Sequence, residues 1–134
     1  MALGFVGTGG RAIDELLQLI RIPEAQIAAF CDIAPEKAAE ALDRVNRALA
    51  EAGRPPITGP IFSDAAAMLR SVALDGGCVS LPPFAHGPAE HAILEAGKAM
   101  LVEKPVVLDP GLGAEILAHA REAGVVTCVG YQLR

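Results

Sequence analysis

Two rhythms of apolar residues take turns along the chain. Short continuous apolar runs read as strands: LGFVG (3–7), QIAAFCD (26–32), IFS (61–63), GGCVSLP (76–82), AMLVEKP (99–105) and VVTCVGYQL (125–133). Between them, apolar residues recur at the three- and four-residue spacing of one helix face. Ile13, Leu16, Leu17 and Ile20 mark a helix over 10–20 that stops before Pro23. Ala38, Ala41, Leu42, Val45 and Leu49 mark another over 35–53, with Pro35 suited to its first turn and Gly53 to its end. Three more helices are predicted. A short one over 64–70 has Ser63 as a candidate cap. One over about 87–96 closes at Gly97, and one opens at Asp109 and Pro110 and ends at Gly124.

Strands that are apolar at every position, rather than at alternate ones, suit a parallel sheet covered on both faces. Six of them alternating with five helices predict an α/β fold. The expected architecture is a doubly wound, six-stranded parallel sheet in order 3-2-1-4-5-6, the order that right-handed crossovers favour. One domain is expected over 1–134, since no linker, repeat or low-complexity tract interrupts the pattern. Ligands of such sheets sit at the carboxyl ends of the strands, beside the reversal of strand order. That directs attention to 7–12, 31–34, 80–86, 103–105 and 131–134.

Composition narrows the classes. Apolar residues make up 52% and mean hydropathy is +0.40, yet no apolar run approaches the roughly 18 residues of a membrane span. The N-terminus has no basic region, so a cytoplasmic protein is expected. A net charge of −5 without a basic block argues against a nucleic-acid partner. Three cysteines, Cys31, Cys78 and Cys128, are too widely spaced for a metal site and read as small buried hydrophobes. Three histidines without an H-E-x-x-H run give no reason to expect a metal. His91 is expected to point away from His86, and His119 has no evident partner.

Gly7-Thr8-Gly9-Gly10-Arg11-Ala12 matches G-x-G-x-x-G/A between a strand and a helix. In that pattern the first glycine permits a tight turn and the second lets a pyrophosphate reach the backbone. The final small residue lets the helix pack close, and the N–H groups at the helix start face the anion. Asp32 lies twenty residues past Ala12, at the end of the second strand, where a carboxylate can accept from the ribose hydroxyls of a dinucleotide. It would repel a ribose 2′-phosphate. Ile33, Ala34 and Pro35 supply no cation to offset it, so NAD(H) is favoured over NADP(H), with Lys37 the nearest reservation. Glu103 and Lys104 in EKP end the fifth strand. They are either a solvated strand-end pair or a site where Lys104 orients a substrate hydroxyl and shares its proton. Pro82 and Pro83 in SLPPFAH make a stiff wall fit to lie beside a flat ring. His86 taken alone reads as a capping or solvent-facing residue.

Together, GFVGTGGRA, FCDIAPEKA, LPPFAHGPAEHAILEAGKAMLVEKPVVLD and AREAGVVTCVGYQLR resemble the glucose–fructose oxidoreductase / inositol dehydrogenase / MocA family over essentially the whole chain. The resemblance implies the Rossmann fold and a nicotinamide-dependent oxidoreductase acting on sugars, polyols or their derivatives. It implies that Gly7, Thr8, Gly9, Gly10 and Arg11 form the pyrophosphate loop and Asp32 the ribose acid, with Ile33 beside it. Leu81, Pro82 and His86 match the cofactor cleft. Glu103, Lys104, Gln132 and Arg134 match positions at the nicotinamide, with Lys104, and His86 after it, as catalytic candidates.

Family members continue into a second α/β domain that supplies most of the substrate pocket. The expectation is therefore a cofactor domain without its C-terminal substrate domain. It would bind NAD(H) without turning over a sugar or polyol and would self-associate through apolar surface along strand six. The alternative is a non-catalytic dinucleotide-binding module or the cofactor subunit of a split enzyme.

Overall fold

A computed structural model describes residues 1–131. Six parallel strands form one sheet in the order β3-β2-β1-β4-β5-β6, the predicted order. They are β1 (Ala2–Val6), β2 (Gln26–Cys31), β3 (Ile61–Phe62), β4 (Gly76–Val79), β5 (Ala99–Glu103) and β6 (Thr127–Gly130). The helices between them are α1 (Gly10–Leu19), α2 (Pro35–Glu51), α3 (Ala65–Ser71), α4 (Pro88–Glu95) and α5 (Pro110–Ala123).

The central strands feed two separate cores, one on each face of the sheet. Leu3 and Phe5 of β1, with Ile27 and Phe30 of β2, pack under α1 and α2 against Ile13, Leu16, Val45 and Leu49. Val6, Val79, Met100 and Val102 pack on the opposite face against Met68, Ile93 and Ile116 of α3, α4 and α5. Phe5 on one face and Val6 and Val79 on the other are buried, so the central strands must be apolar on both faces. Ala38, Ala41, Val45 and Leu49 are the buried stripe of α2. Pro35 stands in its first turn, where a missing N–H costs nothing.

Several boundaries differ from the sequence expectation. α3 is capped by Asp64, whose carboxylate accepts from the Ala67 N–H at 2.8 Å, and not by Ser63. β4 ends at Val79 and does not run on to 82, where Pro82 and Pro83 cannot donate to a ladder; a 3-10 turn follows over Pro83–Ala85. β6 is shorter than the apolar run 125–133. Among the described residues it stands at the edge of the sheet, paired to β5, with Leu101 opposite Cys128. Cys31 and Cys78 are buried as expected, but Cys128 is exposed. The apolar run at β6 signals burial, yet no described helix covers the α1 side of β5 and β6, so Leu101 and Cys128 are both exposed there. No described helix is long and apolar enough to cross a membrane.

Candidate functional site

The chain leaves β1 through Gly7, whose φ is +84°. A Cβ there would also stand 2.2 Å from the Ser80 carbonyl oxygen and 2.8 Å from the Leu81 side chain. Conformation and contact both demand glycine, and β1 thereby closes on the end of β4. Gly9 and Gly10 are the reverse case. Both are exposed, and nothing lies within 4 Å of where their Cβ atoms would stand. The first N–H groups of α1 face this open side, at the positive end of the helix dipole. Ala12 is fully buried, so α1 lies close to the sheet.

Asp32 follows β2 directly and reaches back to the same turn. Its Oδ2 accepts from the Thr8 N–H at 2.9 Å and the Thr8 hydroxyl at 2.7 Å, and its Oδ1 accepts from the Ala34 N–H at 3.0 Å. Burial opposes ionisation of Asp32, but the bonds from Ala34 and Thr8 and the charge of Lys37 outweigh it and hold the carboxyl below its ordinary range. Thr8, itself buried, thus turns both its donors to Asp32 rather than to the open side of the loop.

A second carboxylate cluster stands at the end of β5. Arg11 Nη2 and Nε donate to Glu103 Oε1 at 2.8 and 3.0 Å, tying the glycine loop to β5. Arg11 was expected on the pyrophosphate loop; it stands there in sequence, but its guanidinium faces Glu103. Glu103 Oε2 accepts from the Lys104 N–H at 2.8 Å and lies 3.8 Å from Lys104 Nζ. Burial disfavours the Glu103 carboxylate, yet Arg11 and the Lys104 N–H hold its carboxyl below the usual range. Lys104 itself is nearly half exposed, at 46%.

Two residues of this cluster escaped the sequence reading. Glu15 Oε1 lies 3.2 Å from Arg11 Nε without a hydrogen bond, and Glu103 and Ser80 also act on its carboxyl. Burial, then the proximity of Glu103, push its carboxyl up to about 7, with Ser80 and Arg11 opposing. The spacing of Arg11 and Glu15 was a visible signal, since i and i+4 share a helix face. Their meeting with Glu103 was not.

His86 corrects its expectation. It neither caps a helix nor faces solvent: its side chain is fully buried. Nδ1 lies 2.6 Å from Glu90 Oε1 and Nε2 lies 3.1 Å from the Leu81 carbonyl. Glu90 also accepts from the Gly87 N–H at 2.7 Å, so the pair anchors loop 81–86 to the start of α4. His119 is corrected as well, because its Nδ1 meets that of His91 at 3.0 Å across α4 and α5. Leu81 is half-buried beside Gly7, Pro82 is exposed, and Ile33 is 93% exposed next to Asp32. Gln132 and Arg134 lie outside the described residues. Among those described, no three His, Cys, Asp or Glu side chains are placed to hold a metal ion.

Comparison with known proteins bears on this arrangement. A family model for GFO_IDH_MocA proteins, described as an oxidoreductase family with an NAD-binding Rossmann fold, matches residues 1–131. A glycosyl hydrolase family 109 protein of Stenotrophomonas maltophilia is 33% identical over 102 residues, which is 73% of this chain and 22% of that protein. A dehydrogenase from Chromobacterium violaceum superposes with a TM-score of 0.80 at 28% identity, covering 97% of this chain and 35% of that one. The WlbA dehydrogenase from Bordetella pertussis, in complex with NADH and UDP-GlcNAcA, superposes at 0.76 with 25% identity, covering 96% and 36%. The chain thus spans about a fifth of the curated relative's length and about a third of the solved structures'.

Proposed function

Because the chain belongs to the GFO_IDH_MocA oxidoreductase family, as its NAD-binding Rossmann domain, we propose that it binds NAD(H) and forms the cofactor half of an enzyme. That enzyme moves a hydride between the nicotinamide and a secondary alcohol of a sugar, polyol or derivative. The observation that carries the reading is the pairing of an open glycine turn with an ionised Asp32 held at its rim.

The residues fit the cofactor. Gly9 and Gly10 leave room for a pyrophosphate against the N-terminus of α1. An ionised carboxylate has roughly four acceptor positions. Thr8 and Ala34 fill two on Oδ2 and one on Oδ1, which leaves Oδ1 able to take a ribose hydroxyl. The same charge disfavours a 2′-phosphate, so NAD(H) is preferred to NADP(H). Exposed Ile33 offers an apolar face for the adenine, and Leu81 with Pro82 walls the other side.

When bound, the cofactor supplies the hydride chemistry. Lys104, half exposed at the end of β5, would donate a hydrogen bond to the substrate oxygen and exchange its proton. Glu103 holds the backbone of Lys104 in place. His86 has both nitrogens engaged and acts through the Leu81 carbonyl as a positioning residue. Self-association through the bare face of β5 and β6, where Leu101, Val126 and Cys128 are exposed, belongs to the same proposal. Sedimentation at micromolar concentration tests it, and a concentration-independent monomer removes it.

Calorimetric titration with NAD+, NADH and NADPH is the direct test of the cofactor. NADH is expected to bind at least roughly tenfold more tightly than NADPH. Equal binding of the two would overturn the Asp32 assignment, and binding of neither would overturn the function.

The glycosyl hydrolase relative supports a second reading, in which the cofactor assists glycoside cleavage. A chimera carrying the remainder of that relative separates the two. Cleavage of a nitrophenyl glycoside without net NADH formation supports the second, and NADH accumulation with a free polyol supports the first.

A further inference from the structure

Glu15 has no part in cofactor binding as described, yet it stands against the residues at the end of β5. It is one helical turn below Arg11, with a side chain only 20% exposed. Arg11 lies between two carboxylates, 3.2 Å from Glu15 Oε1 and 2.8 Å from Glu103 Oε1. One guanidinium cannot neutralise both. Glu15 Oε1 is buried without a hydrogen bond, a position that favours the neutral acid over an ion.

The surroundings of Glu15 contain few other charges. Arg11 and Asp14 share its helix; β4 brings Cys78 and, just beyond it, Ser80; β5 brings Glu103 and, beyond it, Lys104. The Cys78 thiol is pushed up to about 12 by burial and by Glu15, so it stays neutral. Arg11 and Glu103 hold each other charged, since their mutual hydrogen bond raises the one and lowers the other. The group left to change charge near neutrality is Glu15, whose carboxyl sits at about 7. A hollow along α1, lined by Arg11, Asp14, Glu15 and Gln18, connects it to solvent.

We propose that Glu15 determines which oxidation state of the nicotinamide this site prefers. As a neutral acid it leaves the Arg11–Glu103 pair balanced. As a carboxylate it adds one negative charge behind Glu103, which favours the cationic oxidised ring over the neutral reduced one. The inference rests on the reading that NAD(H) binds with its nicotinamide beside Glu103 and Lys104. Glu15 touches neither cofactor nor substrate; it acts through the field of the cluster.

Two measurements test it together. Carbon-13 NMR of labelled glutamate side chains, in the cofactor-free chain, reads protonation directly. One glutamate should titrate near 7, and that signal should vanish in Glu15→Gln. Dissociation constants for NAD+ and NADH, measured by calorimetry, read the consequence. The ratio of NAD+ to NADH affinity should rise by roughly three- to tenfold between about pH 6 and pH 8.

In Glu15→Gln, which keeps the shape and loses the charge, that ratio should stay flat. Ser80→Ala removes the hydroxyl that opposes the rise of the Glu15 carboxyl. It should move the NMR midpoint and the affinity transition to higher pH together, which covers the case in which the glutamine variant folds poorly. Absence of a glutamate titrating between about 6 and 8 overturns the proposal. A pH-independent ratio with both dinucleotides bound also overturns it while leaving the function intact. Binding of neither dinucleotide defeats the function itself, and the inference with it.

Discussion

The two acidic corners of this site are built on opposite principles. At Asp32, one carboxylate meets three donors, all from the glycine turn and from its own loop. At Glu103, two carboxylates meet one guanidinium, and the partners come from α1, β4 and β5. The first corner has three donors for its one carboxylate and stays ionised. The second is short of donors, and one of its acids is pushed to neutrality's edge. A site that binds a dinucleotide and performs chemistry has use for both: a fixed charge where recognition occurs and an adjustable one near the reacting atoms.

The largest effect should come from the turn that serves both corners. Gly7→Ala places a side chain at positive φ and against the Ser80 carbonyl, and should destabilise the fold by at least about 3 kcal/mol in urea unfolding. Gly9→Ala meets open space and should change stability by less than about 0.5 kcal/mol while weakening NADH binding. If both variants unfold alike, the distinction between a packing glycine and a ligand glycine fails.

Next comes Lys104. In a chimera with the rest of the Chromobacterium violaceum dehydrogenase, Lys104→Met should lower kcat/KM by roughly two orders of magnitude. NADH affinity should hardly move. Near-normal turnover would reduce the Glu103 corner to a strand end.

Asp32→Ala should cost roughly tenfold in NADH affinity, the value of one charge-assisted hydrogen bond. It should also narrow the gap to NADPH. An unchanged gap would mean that another group selects the cofactor.

The smallest effect concerns stability against pH, where Asp32 and Glu103 carry one sign and Glu15 the other. The folded-state carboxyls of Asp32 and Glu103 lie below their usual values. Their stabilisation is present above the unfolded values and is lost as pH falls through the folded ones. The Glu15 carboxyl is raised to about 7. Folding is therefore favoured relative to this group at low pH, and the benefit is lost as pH rises from the unfolded value through about 7. Thermal unfolding should show Glu15→Gln gaining stability over the natural chain as pH rises from about 5 to 8. A constant difference across that range would mean that Glu15 is ionised throughout.

The legible corner was the one whose partners are near in sequence or follow a short pattern. Gly7, Gly9 and Ala12 could be placed from spacing, because a strand–turn–helix fixes them by local geometry, and Asp32 from its position at the end of the second strand, which pairs with the first. The strand order followed from the chirality of crossovers. Glu15 and Ser80 were missed because their importance lies in three elements converging. His86 was misjudged since a histidine at a predicted helix start says nothing of its burial, and Glu90 four residues on was not recognised as its partner. The apolar run at β6 could not reveal that Cys128 faces an uncovered side.

Periodicity and the spacing of the glycines by themselves determined a parallel α/β sheet, its helices and the glycine turn between β1 and α1, because backbone sterics and the burial of apolar runs act over a few residues. Tertiary structure decided the charge states. Whether a carboxyl is ionised depends on how many donors reach it and how much water is excluded, and at Glu15 both are set by side chains up to 88 positions away, at Glu103.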